Sequence, residues 1–257
     1  MKAREIVDIL EGLCPMEKAC DWDNPGMHIG HWDKEVSTVL ITVDCDDKAV
    51  AYAKANKVDM IIAHHPLLFG GIKQINDSTF MGKRVLSLIE NGINCYCMHT
   101  NFDIAGGMAE EAAKRIGLSN CIPLEAVTDT TGIGKVGDLN NKVTVAKMCD
   151  IVKKAFGLEK VVLYGDIDDP ISRVAISPGS GKDMIKYAIE KGADILITGD
   201  ITYHYGIDAV AEGLRIIDAG HYGIEHIFIE LVQKYLCENC SKVDVIPMPI
   251  DNPQKYL

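Results

Sequence analysis

The chain has 257 residues, 47% of them hydrophobic and 25% charged, a balance that supports a buried core and excludes disordered and fibrous classes. A net charge of −11 argues against nucleic acid as a partner, because that affinity rests on lysine and arginine neutralising phosphates. Residues 1–13 lack a signal-peptide core, no apolar run approaches a membrane span, and nine cysteines then read as reduced thiols, so a cytoplasmic protein without membrane contact is expected.

In chain order, Met1 to Leu13 sets Ile6, Val7, Ile9 and Leu10 among charged residues and predicts an amphipathic helix. Trp22-Asp23-Asn24-Pro25-Gly26 predicts an Asx-type turn, or else the lip of a cleft. Strand Val39–Val43, helix Asp47–Ala55 and strand Met60–Ala63 follow, then helix Lys83–Glu90 and strand Ile93–Met98, stopped between by Asn91-Gly92. Asp44 reads as part of a helix-capping cluster, with substrate contact as the alternative. A helix is expected from Met108 to Gly117, and Pro123–Asn141, rich in Thr, Gly and Asp, reads as a loop or the entry to the second half. Strand Lys142–Val145, helix Ala146–Phe156, strand Val174–Ile176, helix Lys182–Glu190, strand Ile195–Thr198, helix Ile207–Glu212 and strand Leu214–Asp218 complete the pattern.

The segment from Thr38 to Ile72 aligns without a gap with that from Arg173 to Ile207, at a constant offset of 135. Val39, Ile41, Tyr52, Ala53, Asp59, Ile62 and Gly71 meet identical residues there. The expectation is an α/β protein of two related lobes, with mainly parallel or mixed sheets covered by helices. Residues 1–125 would form the first lobe, with 219–257 packing near it, and 126–218 the second.

Chemistry concentrates at strand ends, where open α/β sheets bind ligands. His64-His65-Pro66 follows Met60–Ala63; Asp103 lies just past Ile93–Met98; His221 and Glu225, four apart on one helix face, follow Leu214–Asp218. Three imidazoles and two carboxylates from three strand ends suit a pair of ions better than one tetrahedral zinc. The donors, without thiolate, fit two divalent ions drawn from Zn, Mn, Fe, Co or Ni. His99, Asn101, Asp200 and His204 are candidates for orienting ligands or touching substrate. Cys237-x-x-Cys240 has no second pair to close a zinc site, Cys95 and Cys97 read as core, and Gly70-Gly71 and Gly106-Gly107 match no phosphate-cradling spacing.

Those motifs, with Thr198-Gly199-Asp200 and Gly220-His221-Tyr222-Gly223, resemble the Nif-three-like family over nearly the whole length. Members are often described as GTP cyclohydrolase 1 type 2 homologues. The resemblance implies a two-metal site on His64, His65, Asp103, His221 and Glu225, lying between two α/β lobes. It also implies a homohexamer built as a trimer of dimers. The activity it implies is metal-dependent hydrolysis of a small molecule, GTP or another nucleotide among the options, by a metal-bridging hydroxide. A non-catalytic metal-binding or regulatory ring is the alternative. The family often carries two consecutive histidines after the Gly-Asp pair, whereas this chain has Tyr203-His204, so no ligand role is expected for Tyr203.

Overall fold

Short apolar strands and amphipathic helices alternate along the computed structural model, which describes residues 1–255. Two compact units result. The first holds residues up to Gly106 together with Phe228–Ile250, and the second holds Gly107–Ile227 with the tail from Asp251.

The first unit begins with α1 (Ala3–Glu11), β1 (Gly26–Ile29), β2 (Thr38–Thr42), α2 (Asp47–Ala55), β3 (Met60–Ala63), α3 (Phe80–Glu90), β4 (Asn94–Cys97) and α4 (Thr100–Ala105). The second comprises α5 (Met108–Arg115), β5 (Leu118–Ala126), β6 (Gly132–Thr144), α6 (Val145–Phe156), β7 (Val162–Tyr164), β8 (Pro170–Ser180), α7 (Ile185–Glu190), β9 (Ile195–Gly199), α8 (Tyr203–Ala211), β10 (Arg215–Asp218) and α9 (His221–Glu225). The chain then returns to the first unit as α10 (Ile227–Asn239) and β11 (Asp244–Pro247).

The first sheet has the order β1-β4-β3-β2-β11, with only β1 antiparallel. Every residue of β3 is buried because helices cover both faces of a parallel sheet. One face packs Leu40, Ile61, Cys95 and Cys97 against Val50 and Ala53 of α2 and Val85 and Leu88 of α3. Tyr96 points the opposite way, as strand alternation requires, and its hydroxyl donates to Glu11 of α1 at 3.0 Å. Each fully buried Ile or Leu in such a core contributes about 1.5–3 kcal/mol. Asp46 caps α2 by accepting from the Ala49 amide, and Thr79 caps α3 by accepting from Gly82.

The second sheet is mixed, with the order β5-β6-β8-β9-β10-β7; only the β8-β9 and β9-β10 pairs are parallel. Here the structure corrects one expectation. Pro123–Asn141 is not a loop: β5 and β6 form a long antiparallel hairpin, and only residues 127–131 turn. The glycines that suggested a loop are demanded by packing, since a Cβ on Gly132 would lie 2.0 Å from the Glu125 carbonyl oxygen. Because β5 pairs with β6, the second unit begins at Gly107, earlier than the sequence division at residue 125, and it keeps α9. Helix α8 starts at Tyr203, a turn before the expected Ile207. Lys182–Met184 is a 3₁₀ turn leading into α7.

All nine cysteines are free thiols, with Cys95 and Cys97 in the core and Cys237 exposed. Among the described residues no helix is long and apolar enough to cross a membrane.

Candidate metal centre

In the first unit, parallel pairing of β2, β3 and β4 brings their C-terminal ends together. His64 is fully buried, and its Nδ1 donates to the Met98 carbonyl at 2.8 Å. A carbonyl only accepts, so Nδ1 carries a proton. Nε2 lies 3.6 Å from Oδ1 of Asp103, presented by α4. His65 is set the same way by a different partner, for its Nδ1 donates to Asp44 Oδ1 at 2.8 Å. Asp44 therefore orients a histidine; the cap of α2 is Asp46. The ring nitrogens of His64, His65 and His99 include one from each residue within 4.8 Å of one another.

His99 precedes α4 and is braced from the Trp22–Gly26 turn. Its Nδ1 donates to Asp23 Oδ1 at 2.8 Å, while Asp23 Oδ2 accepts from the Thr100 amide at 2.9 Å and the Thr100 hydroxyl at 2.6 Å. Burial by itself raises the Asp23 carboxyl, but the bonds from His99 and Thr100 outweigh it and hold Asp23 well below the usual carboxylate range. Asn101 is buried and occupied by the fold: its Oδ1 accepts from the His99 amide and its Nδ2 donates to the Cys14 carbonyl.

In the second unit, His221 opens α9 and Glu225 closes it. Nδ1 of His221 donates to Asp200 Oδ2 at 2.7 Å, and Nε2 sits 3.0 Å from Glu225 Oε2. Asp200 occupies the turn after β9 with φ +58°, a left-handed conformation that Asp tolerates better than most residues. Gly179, with φ +76°, cradles the pair, since a Cβ there would lie 2.2 Å from Glu225 Oε1. His204 lies exposed on α8, edge to face with Tyr203 at 5.4 Å.

Four histidines are thus fixed through Nδ1 by a carbonyl or a carboxylate, which sets the orientation of each ring. Within each unit, imidazole and carboxylate without thiolate is donor chemistry that could hold a divalent cation. Asp44 and Asp23 were missed as orienting groups in the sequence. The available signal was Asp44 at a strand end beside that of His65.

A mixed α/β protein of two sheets, with histidine–carboxylate groups at strand ends, is the class these features define. The family model for Duf34/NIF3 (NGG1p interacting factor 3) matches residues 1–253, and the chain belongs to that family. A GTP cyclohydrolase 1 type 2 homolog of Lactococcus lactis is 38% identical over 236 residues, covering 90% of each chain. A protein of the same name from Clostridium perfringens is 35% identical over 228 residues, 88% of this chain and 87% of that one. The crystal structure of a Bacillus cereus protein related to NIF3 superposes with a TM-score of 0.94 at 24% identity, covering 100% of this chain and 99% of that one, and so shares the fold.

Proposed function

We propose that the protein is a metal-dependent hydrolase acting on a small molecule, with two divalent cations held by His64, His65, Asp103, His221 and Glu225. The observation that carries this reading is the common setting of the histidines, each with its Nδ1 held by a carbonyl or a carboxylate. Two such ions supply electrostatic stabilisation of a reacting carbon or phosphorus centre and activation of water. The chain's own residues do the rest. Asp44 and Asp200 orient His65 and His221, the Met98 carbonyl orients His64, and Asp23 holds His99, which has a ring nitrogen within 4.8 Å of one on His64 and one on His65. GTP is the substrate suggested by the relatives' names.

The test is metal analysis followed by turnover. The purified protein is expected to bind two equivalents of Zn, Mn, Fe, Co or Ni, to lose most of that capacity in His65→Ala and Glu225→Gln, and to hydrolyse GTP or a member of an amide, ester and phosphoester panel. Stoichiometric metal without turnover on any of these would overturn the enzymatic reading in favour of a metal-binding scaffold. One observation favours assembly. Tyr203, Ile207 and Val210 recur along α8 at helical spacing and remain 66%, 41% and 40% exposed, an apolar stripe of the kind a self-associating protein keeps. The homohexamer belongs to this proposal, and analytical ultracentrifugation decides it.

A further inference from the structure

Outside the ligand set, the first unit carries an aromatic corner. Trp22 and Phe69 are 64% and 59% exposed, their ring centroids are 6.3 Å apart, and their planes meet at 81°. Both also pack edge-to-face on His99, at 6.1 Å and 6.4 Å. His99 in turn lies 5.3 Å from the His64 ring and 5.7 Å from the His65 ring. The corner is therefore continuous with the candidate metal centre.

It is also a built feature, although its rings are in solvent. Trp22 is followed by Asp23, tied to His99 and Thr100, and by Asn24, whose Nδ2 donates to the Leu68 carbonyl at 2.6 Å. The Leu68 amide donates to His28 Nδ1 at 3.0 Å, and His28 Nε2 donates to the Asn24 carbonyl at 2.6 Å. The segments that carry the aromatic side chains are thus tied together through the side chains of Asn24 and His28. Tying down the chain beside two large apolar rings without burying the rings leaves a surface whose contacts remain to be made.

We propose that Trp22 and Phe69 are the specificity-determining residues of the site, stacking a planar heteroaromatic ring of the substrate against His99. Perpendicular rings offer a flat ligand one face to stack on and one edge to meet, the two arrangements aromatic pairs favour. An aliphatic ligand would gain burial alone. The heteroatoms of such a ring keep their polar edge towards the imidazoles and water. This inference rests on the hydrolase reading for the identity of the ligand as a substrate, but its test does not need turnover.

The chain has two tryptophans, so Trp32→Phe leaves Trp22 as the sole indole emitter. Metal-free and metal-loaded Trp32→Phe protein is titrated with guanosine monophosphate and with nicotinamide mononucleotide, and ribose 5-phosphate serves as the control without a ring. Saturable quenching by at least one of the two mononucleotides, and none by ribose 5-phosphate, is expected. Adding Phe69→Ala is expected to weaken that binding about tenfold, with Phe69→Tyr restoring it. No saturable response to either mononucleotide overturns the proposal, as does an equal response to ribose 5-phosphate or an affinity indifferent to Phe69→Ala. Trp22 emission that is shielded until the protein is diluted overturns it too, by showing that a second copy covers the corner. Quenching by a mononucleotide in protein that hydrolyses nothing would leave the stacking corner standing while the hydrolase reading falls.

Discussion

Asp59 and Asp194 make the same hydrogen bonds in two different sheets. Asp59 Oδ2 accepts from the amides of Ser37 and Thr38 at 2.8 Å and 3.1 Å, and Asp194 Oδ2 accepts from those of Ser172 and Arg173 at 2.7 Å and 2.9 Å. Their own amides donate to Thr38 and Arg173. The strands they join share a register as well, Val39 facing Met60 as Val174 faces Ile195. The sequence offset of 135 is thus a structural repeat. Each carboxylate fixes where a strand enters its sheet, so Asp59→Ala and Asp194→Ala should each destabilise by about 1.5–3 kcal/mol, the range for charged hydrogen bonds. Urea denaturation measures it, and a loss below about 0.5 kcal/mol in both variants would show that register is held by packing alone.

The carboxylates Asp44 and Asp200 both orient histidines from strand ends, but at non-equivalent places in the repeat, since the offset of 135 carries Asp44 to Gly179 and His65 to Asp200. Asp44 follows β2 and supports His65; Asp200 follows β9 and supports His221. Both are half exposed, so Asp44→Ala and Asp200→Ala should leave the folded state nearly as stable as before. Metal affinity should fall about 10- to 100-fold in each, since the imidazole loses its fixed tautomer and orientation. Isothermal titration with Zn or Mn reads the effect, and unchanged affinity would remove these residues from the site.

Much of this was legible in the chain because the pattern and the physics agree locally. Helix α2 and strand β3 fall where periodicity and the run Met60–Ala63 put them. The hairpin of β5 and β6 was not legible, because its glycines serve close backbone approach: Gly137 leaves no room for a Cβ, which would lie 2.7 Å from both Cys121 Sγ and the Ser119 carbonyl oxygen. Strands β1 and β11 are four residues each and gain their place only by pairing with distant segments. The candidate ligands were readable as residue types at strand ends. Their orienting partners were not, since Asp44 and His65 are 21 residues apart and carry no local signal of contact. Asp44 next to Asp46 looked like a capping cluster, and only the tertiary fold separates the two roles.

Gly179 gives a sharper test of the second unit. Its φ of +76° strains any side chain, and a Cβ would press on Glu225 Oε1. Gly179→Ala should therefore cost more than about 1 kcal/mol in stability and displace the carboxylate from His221 Nε2. The expected reading is a melting temperature lowered by a few degrees, with metal binding lost more severely than in Asp200→Ala. Normal metal affinity in Gly179→Ala would mean that Glu225 is not held where a ligand must be.

The Asp23 carboxylate makes stability depend on acid in a defined direction. Hydrogen bonds from His99 and Thr100 depress it in the folded protein despite its burial, whereas an unfolded Asp titrates near about 3.9. A depressed folded value means that the unfolded chain takes up the proton first as pH falls. The contribution of Asp23 is therefore complete above about pH 5 and shrinks progressively below about pH 4. Asp23→Asn removes the charge while keeping the shape. At neutral pH it should be about 1–3 kcal/mol less stable than the native chain. Its deficit should narrow as the pH is lowered through the carboxylate range, and denaturant titrations of both proteins at a series of pH values measure that convergence. A deficit that stays constant down to the acid limit would show that the carboxylate's charge adds nothing, and that Asp23 braces His99 by shape alone.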